Sequence, residues 1–245
     1  MKTSKRIIWL FILFTSICFN SNAQKSVVVS GSLPAVADSN LILQIDKNHM
    51  RRKMTSFNTI LHDNTFRLKF DVEKDYLVEL VNPAFRFPLF VSPGDSIVMT
   101  FVEKPSPTMD LKGKGSLENN FLQVFYTSFK DEFNDTISEK LALSNTVDAF
   151  EAKLFSQKKK LNDFFKADPN YSRFSENFKT FVSNEISFNY WKQLFSYPIV
   201  NANSSQQIMK VTPIPDLMLA DFAKVKYNSE NALISESYRM FLKYY

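Results

Sequence analysis

Lys112-Gly113-Lys114-Gly115-Ser116-Leu117-Glu118-Asn119-Asn120-Phe121-Leu122 is the stretch at which the apolar pattern of this chain changes its period. Before it, apolar and polar residues alternate, the spacing of a strand with one wet face. After it, apolar residues recur every three or four positions, the spacing of a helix that buries one side. Two of the chain's four glycines fall within three residues at the change, and such a pair punctuates the backbone between elements. The reading is an α+β chain: an N-terminal antiparallel β-sandwich or barrel-like sheet followed by a C-terminal helical domain. The expected divisions are a β-rich segment over residues 24–112, a hinge over 113–115 built on Gly113 and Gly115, and a helical domain over 116–245. Ser116 is the expected helix N-cap.

Upstream of that break the alternation runs through Val27, Val29 and Gly31, then through Leu41, Leu43 and Ile45 after a turn region at 34–40. Phe66, Leu68 and Phe70 alternate with Arg67, Lys69 and Asp71. Asp63-Asn64 precedes them, and both residue types tolerate left-handed backbone, so a hairpin with 54–61 is expected. Residues 76–81 and 85–91 read as strands divided by Asn82-Pro83. Ser92-Pro93-Gly94-Asp95 is the clearest turn: proline presets φ at the second position, and glycine accepts the positive φ that a type II turn demands at the third. A strand over 97–101 follows. About seven short strands joined by short turns predict an antiparallel sheet structure.

Downstream, four helical stripes are expected. The first carries Phe121, Leu122, Phe125, Tyr126, Phe129 and Phe133. The second carries Val147, Phe150, Leu154, Leu161, Phe164 and Phe165. The third carries Phe174, Phe178, Phe181, Val182, Ile186, Tyr190 and Leu194 and is expected to stop near Pro198. The fourth carries Ile234, Tyr238, Phe241, Leu242 and Tyr245. Polar, proline-bearing 201–215 reads as a loop, and the whole as a helical bundle or array.

The extreme N-terminus has the three parts of a secretory signal. Lys2, Lys5 and Arg6 form a positive start, residues 7–14 are unbroken hydrocarbon, and Ser21 and Ala23 are small residues ahead of Gln24. The apolar run is shorter than the roughly 20 residues that cross a bilayer. A signal peptide over 1–23, cleaved near Ala23-Gln24, predicts a periplasmic or otherwise extracytoplasmic product. Cys18 is the only cysteine. Lipidation there would put the product on a membrane, but Ile17 stands where an acylation site wants a small residue, and membrane attachment is expected only through that route. Cleavage takes 23 of the 245 residues and three of the 30 lysines and arginines, leaving 222 residues and 27 cations against 25 acids. The mature balance near +2 gives no nucleic-acid footprint. Without a cysteine the mature chain has no disulfide, thiolate metal site or thiol nucleophile.

Candidate chemistry is sparse, and no catalytic, cofactor or metal residue is expected. His49 and His62 are the only histidines, with no partner at metal-ligand spacing and no Gly-x-Ser-x-Gly elbow for a serine triad. Gly113-Lys114-Gly115-Ser116 has the flavour of a phosphate loop without its full spacing. Asp131, Glu132, Asn134 and Asp135 offer oxygen ligands but lack the glycine and distant glutamate of a calcium loop, and read as a solvated helix end. Arg51-Arg52-Lys53 and Lys158-Lys159-Lys160 read as wet basic runs. The residues singled out are structural: Pro93, Gly94, Asp95, Gly113, Gly115 and Ser116.

The order of these features resembles a known arrangement. Val29-x-Gly31 in an opening strand, Pro93-Gly94-Asp95-Ser96-Ile97 after an apolar strand, the glycine-rich 112–122 opening a helix, and the late segment 229–242 together resemble the N-terminal accessory region of exported TlpA-like thioredoxin-fold disulfide oxidoreductases. In that family the chemistry belongs to a C-terminal thioredoxin domain with a Trp-Cys-x-x-Cys type site, which is absent here. The resemblance implies a non-catalytic region that positions a redox domain, binds a protein partner or self-associates. The alternative is a stand-alone binding module with an aromatic cleft between its two parts for a small or peptide-like ligand.

Overall fold

The structure is a computed structural model that describes residues 26–33, 40–48, 53–83, 85–102, 108–205, 213–227 and 229–245. The expected signal peptide, Cys18, His49, Arg51, Arg52 and most of the 34–40 turn lie outside the described residues. The fold is α+β, with eight strands followed by six helices among the described residues.

The strands are β1 (Ser26–Ser32), β2 (Asn40–Asn48), β3 (Lys53–Ile60), β4 (Thr65–Asp71), β5 (Tyr76–Asn82), β6 (Phe85–Val91), β7 (Ser96–Val102) and β8 (Thr108–Lys114). They form two four-stranded sheets, ordered β4-β1-β7-β8 and β3-β2-β5-β6, antiparallel as expected except where β1 runs parallel to β7. Neither closes into a barrel. The alternation decides which side chains meet: Val27, Val29, Phe66, Leu68, Phe70, Ile97 and Met99 from one sheet pack on Leu41, Leu43, Ile45, Val78, Leu80 and Leu89 from the other. Sandwich packing buries these two inward faces.

The hairpin expected across Asp63-Asn64 closes only at its tip. Both residues take positive φ, 50° and 60°, and His62 and Thr65 exchange backbone hydrogen bonds of 3.0 and 2.8 Å. The strands on either side then part: β3 pairs with β2, and β4 pairs with β1 in the other sheet. Phe57 and Phe70, ring centroids 5.4 Å apart, instead meet across the sandwich interior. Burial of the apolar faces outweighs continuation of the local ladder.

The helices are α1 (Ser116–Ser128), α2 (Asp135–Leu143), α3 (Val147–Lys166), α4 (Glu176–Ser205), α5 (Asp216–Phe222) and α6 (Glu236–Tyr244). Single 3-10 turns at Tyr171–Arg173 and Glu230–Ile234 precede α4 and α6. α4 is the central element. From Ile186 to Leu194 nearly every position is buried whichever way it points, as befits a helix enveloped by its neighbours. None of the helices among the described residues is long and apolar enough to cross a membrane.

Three expectations about the helical part change. α4 does not stop near Pro198 but passes through it to Ser205, so the loop expected from 201 is helical over its first five residues. A mid-helix proline costs about 3 kcal/mol, and here tertiary contacts hold the turn: Tyr197 donates its hydroxyl to Asn145 O (2.9 Å), and Val200 packs into the aromatic cluster of α4 and α6. α2 and α5 were not foreseen, because nine and seven residues carry too few turns for a stripe to show. Ser116 is not the N-cap. Gly115 occupies that position with left-handed backbone, and the Ser116 hydroxyl donates backwards to Gly113 O at 2.7 Å.

Candidate functional site: the groove between sheet and helices

The helices lie against the outer face of the β3-β2-β5-β6 sheet. Phe90 on β6 points away from the sandwich interior into their core, its ring 5.2 Å from Phe178 and 5.3 Å from Phe181. α1 locks this contact with a side-chain amide. Asn119, 1% exposed, accepts from Phe90 N at 2.7 Å and donates to Phe90 O and Gly115 O at 2.7 Å each. One turn later Gln123 treats Met109 on β8 the same way, at 2.7 and 2.8 Å. Asn120 donates to Leu111 O at 2.9 Å. β6 and β8 are edge strands, and α1 thus supplies partners that an edge otherwise lacks.

The sequence-selected residues converge at the start of α1. Asp95 N donates to Ser92 O at 3.1 Å, and Gly94 has φ 81°, the geometry that the Ser92-Pro93-Gly94-Asp95 turn was read to have. Asp95 is buried, accepts from Ser92 N at 2.8 Å, and receives Val28 N on its carbonyl at 3.0 Å. Burial raises its carboxyl above the ordinary range; the Ser92 bond and Lys114 partly offset this. Lys114 donates to the carbonyls of Gly94 (3.2 Å) and Pro93 (3.5 Å). Gly113 and Gly115 have φ 93° and 90°. A Cβ on Gly115 would lie 2.7 Å from Asp95 Oδ2, and one on Gly113 would lie 2.2 Å from Ser96 O. These residues form a tightly bonded strand-to-helix junction; Lys114 spends its bonds on turn carbonyls.

Where sheet and helices diverge they leave a groove of about 670 Å³. Gln44, Asp46, Met54, Leu77, Glu79 and Pro88 form its sheet wall, and Tyr126, Phe133, Lys192, Glu236, Met240 and Lys243 are among the residues of its helical wall. The sheet wall follows from register: Gln44 stands opposite Ser56 and Glu79, Glu79 opposite Pro88, and Asp46 opposite Met54. Every one of these is an outward position of a strand whose other residues fill the sandwich.

The floor is polar and mostly satisfied. Glu185 of α4, 2% exposed, accepts from Glu236 N at 2.6 Å and from the Ser237 hydroxyl at 2.7 Å. It thereby serves the first turn of α6, where the Ser235 side chain accepts from Tyr238 N. A carboxylate near a helix N-terminus is favourably placed, yet burial dominates and raises the Glu185 carboxyl, the bonds from Ser237, Ser235 and Glu236 only reducing the shift. Burial, with the nearby Glu185 and Glu236 carboxylates, pushes the Tyr126 hydroxyl well above the usual phenol range. Lys192 pairs with Asp135 at 2.6 Å, and Arg239 donates to Leu233 O and Ile234 O at 2.7 and 3.0 Å.

The remaining candidates take structural places. His62 sits exposed in its turn. Among the described residues no group of three histidine, cysteine or acidic side chains could hold a metal ion. Asn134 caps α2, accepting from Ile137 N at 3.2 Å, while Glu132 pairs with Lys160 at 3.1 Å and Asp135 with Lys192. Lys159 pairs with Asp163, and Lys160 also lies over Phe129. Lys158 lies 4.8 Å from the Tyr190 ring centroid, and burial lowers its ammonium pKa. The basic run is therefore tied to the helical domain residue by residue. The groove residues escaped the sequence reading because Gln44, Asp46 and Glu79 look like ordinary wet positions on alternating strands. Asn119 and Gln123, one turn apart on one face of α1, were the legible sign that this helix meets strand edges.

No protein-family model matches the chain, and no curated protein matches it.

Proposed function

We propose that this chain is a non-catalytic extracytoplasmic binding module whose groove between the β3-β2-β5-β6 face and the helices takes a small or peptide-like ligand. The observation that carries the reading is the groove itself. A volume of about 670 Å³ lies within the range of ligand sites, and apolar surface with a few polar groups is the usual lining of such sites. Met54, Leu77, Pro88, Phe133 and Met240 supply the apolar part. The lining is mixed rather than aromatic throughout, so hydrogen bonding and charge contribute to selection.

A thermal-shift screen of short peptides and small amphiphiles tests this, with Leu77→Trp as the comparison protein. A ligand at about 100 times its dissociation constant stabilises the folded state by about 2.7 kcal/mol. A discrete rise in wild type that disappears in Leu77→Trp supports the reading. A rise of the same size in both places the ligand elsewhere.

The resemblance to the accessory region of TlpA-like oxidoreductases supports a second reading, in which the region holds a redox domain or protein partner in position. The bonded junction around Asn119, Asp95 and Gly115 favours it, since a positioning region has to be stiff. A thiol-reductase assay on the chain alone reads background under both readings, and turnover overturns both.

A further inference from the structure

Resting on the groove reading above, we infer that the ligand carries a free amine, and that Asp46 on the sheet wall receives it.

Asp46 lies on the outward side of β2, since Leu43 and Ile45 face the sandwich core and alternate with it. Among the described residues its Oδ1 is buried without a hydrogen-bond partner, which a carboxylate oxygen rarely tolerates. The other carboxylates of the groove lack this feature. Glu79 is paired with Arg86 at 3.0 Å, Asp135 with Lys192 at 2.6 Å, and Glu185 with the start of α6, while Glu236 is exposed to solvent on the helical wall. The β2–β3 register also slips between Asp46 and Asn48, and irregularities of this kind re-aim a side chain out of the regular ladder.

Charge reinforces the choice. Gln44 faces Glu79 across β2 and β5, so Asp46 is the diagonal neighbour of Glu79 on the same wall, at about 7–8 Å. Arg86 answers only one of these two carboxylates. Among the described residues the cations that line the groove, Lys192, Arg239 and Lys243, stand on the helical wall, where Lys192 is bound to Asp135, Arg239 to backbone carbonyls and Lys243 to the Met240 sulfur. Asp46 is itself only half-buried, so a donor placed against Met54 and Leu77 on the sheet wall reaches its carboxylate when the side chain turns the covered Oδ1 toward the groove, and the unfilled hydrogen-bonding capacity of that oxygen favours the turn. An ammonium group supplies three N–H donors and the opposite charge. Beside Asp46 and Glu79, Met54, Leu77 and Pro88 offer an apolar strip on which the body of the ligand rests. A short peptide with a free amino terminus and apolar side chains has this chemistry.

The test titrates leucylleucine and N-acetyl-leucylleucine into the wild-type chain, Asp46→Asn and Leu77→Trp by calorimetry. Asp46→Asn keeps the size of the side chain and removes its charge, and its unfolding midpoint is measured alongside. The expected result is binding of the free dipeptide at least tenfold tighter than the acetylated one, with that preference lost in Asp46→Asn at a midpoint no lower than that of wild type. Equal affinity for the two peptides, or a preference that survives Asp46→Asn, overturns the role of Asp46. If equal affinity is also lost in Leu77→Trp, the groove stands and only the amine falls. Failure of both peptides to saturate at about 10 mM, below the weak end of useful affinity, contradicts both.

Discussion

The Asn119 side-chain amide takes both backbone groups of Phe90, N–H and C=O, at 2.7 Å each, and so acts as the missing neighbour strand at the β6 edge. Pro88, two residues earlier on that edge, has no N–H to satisfy. Together they seat β6 on α1 with the buried Phe90 N–H paired, and Pro88 lines the groove beside this contact.

Replacing Asn119 with alanine removes these two bonds and the one to Gly115 O, leaving the Phe90 backbone buried and unpaired. Each such group costs about 1–3 kcal/mol, so Asn119→Ala lowers the unfolding free energy by about 2–4 kcal/mol. Gln123→Ala costs less, since its site is only partly buried. Denaturant titration of both variants measures this; an Asn119→Ala protein as stable as wild type would mean that water replaces the amide.

Gly115→Ala meets two obstacles at once: positive φ, and a Cβ placed 2.7 Å from Asp95 Oδ2. Positive φ alone costs a non-glycine residue about 1–2 kcal/mol. The variant is expected to lose more than that in thermal unfolding. Asp95→Ala Gly115→Ala should recover the steric part and not the φ part, which a double-mutant cycle separates.

Glu185 gives a pH dependence of definite sign. Its carboxyl is raised above the ordinary value of 4.5 in the folded state, so the folded chain holds that proton to higher pH than the unfolded chain does. Stability from this group is fully present below the unfolded pKa, declines as pH rises through the folded pKa, and is level above it. Asp95 acts in the same direction. Glu185→Gln keeps an acceptor for Glu236 N and removes the titration. Its unfolding free energy should therefore fall less steeply between pH 4.5 and neutrality than that of wild type, measured in denaturant at several pH values. A parallel slope would show that Glu185 does not titrate there.

Asp135→Ala leaves Lys192, 6% exposed, with its charge buried and unpaired. Removing one partner of a buried pair costs about 3–5 kcal/mol, though Asp135 is itself half exposed, which brings the expectation to about 1–3 kcal/mol. Thermal unfolding checks it, and a variant as stable as wild type would mean that Lys192 reaches another acceptor.

The α+β division was legible because it depends on period alone. Phe66, Leu68 and Phe70 all point into the sandwich, and the change at 113–115 coincides with the end of β8 and the start of α1. The pairing was less legible. Asp63-Asn64 specifies a tight turn, but whether two strands stay together past it depends on which faces find a core, and the sequence holds no local record of that. Pro198 misled because propensity is a local cost and Tyr197 and Val200 offset it through distant partners. The groove was hidden for a similar reason: Asp46 differs from the wet residues around it in holding a buried oxygen without a partner among the described residues, a property that exists only after folding.

Methionine methyl NMR tests the groove most directly. Met54 lines the sheet wall and Met240 the helical wall, while Met99 is buried between the sheets and Met109 belongs to the same sandwich core. On titration with the ligand that gives the largest thermal shift, the account predicts that the Met54 and Met240 signals move together and saturate at one dissociation constant, with Met99 and Met109 still. Saturable binding that leaves Met54 and Met240 unmoved would contradict it.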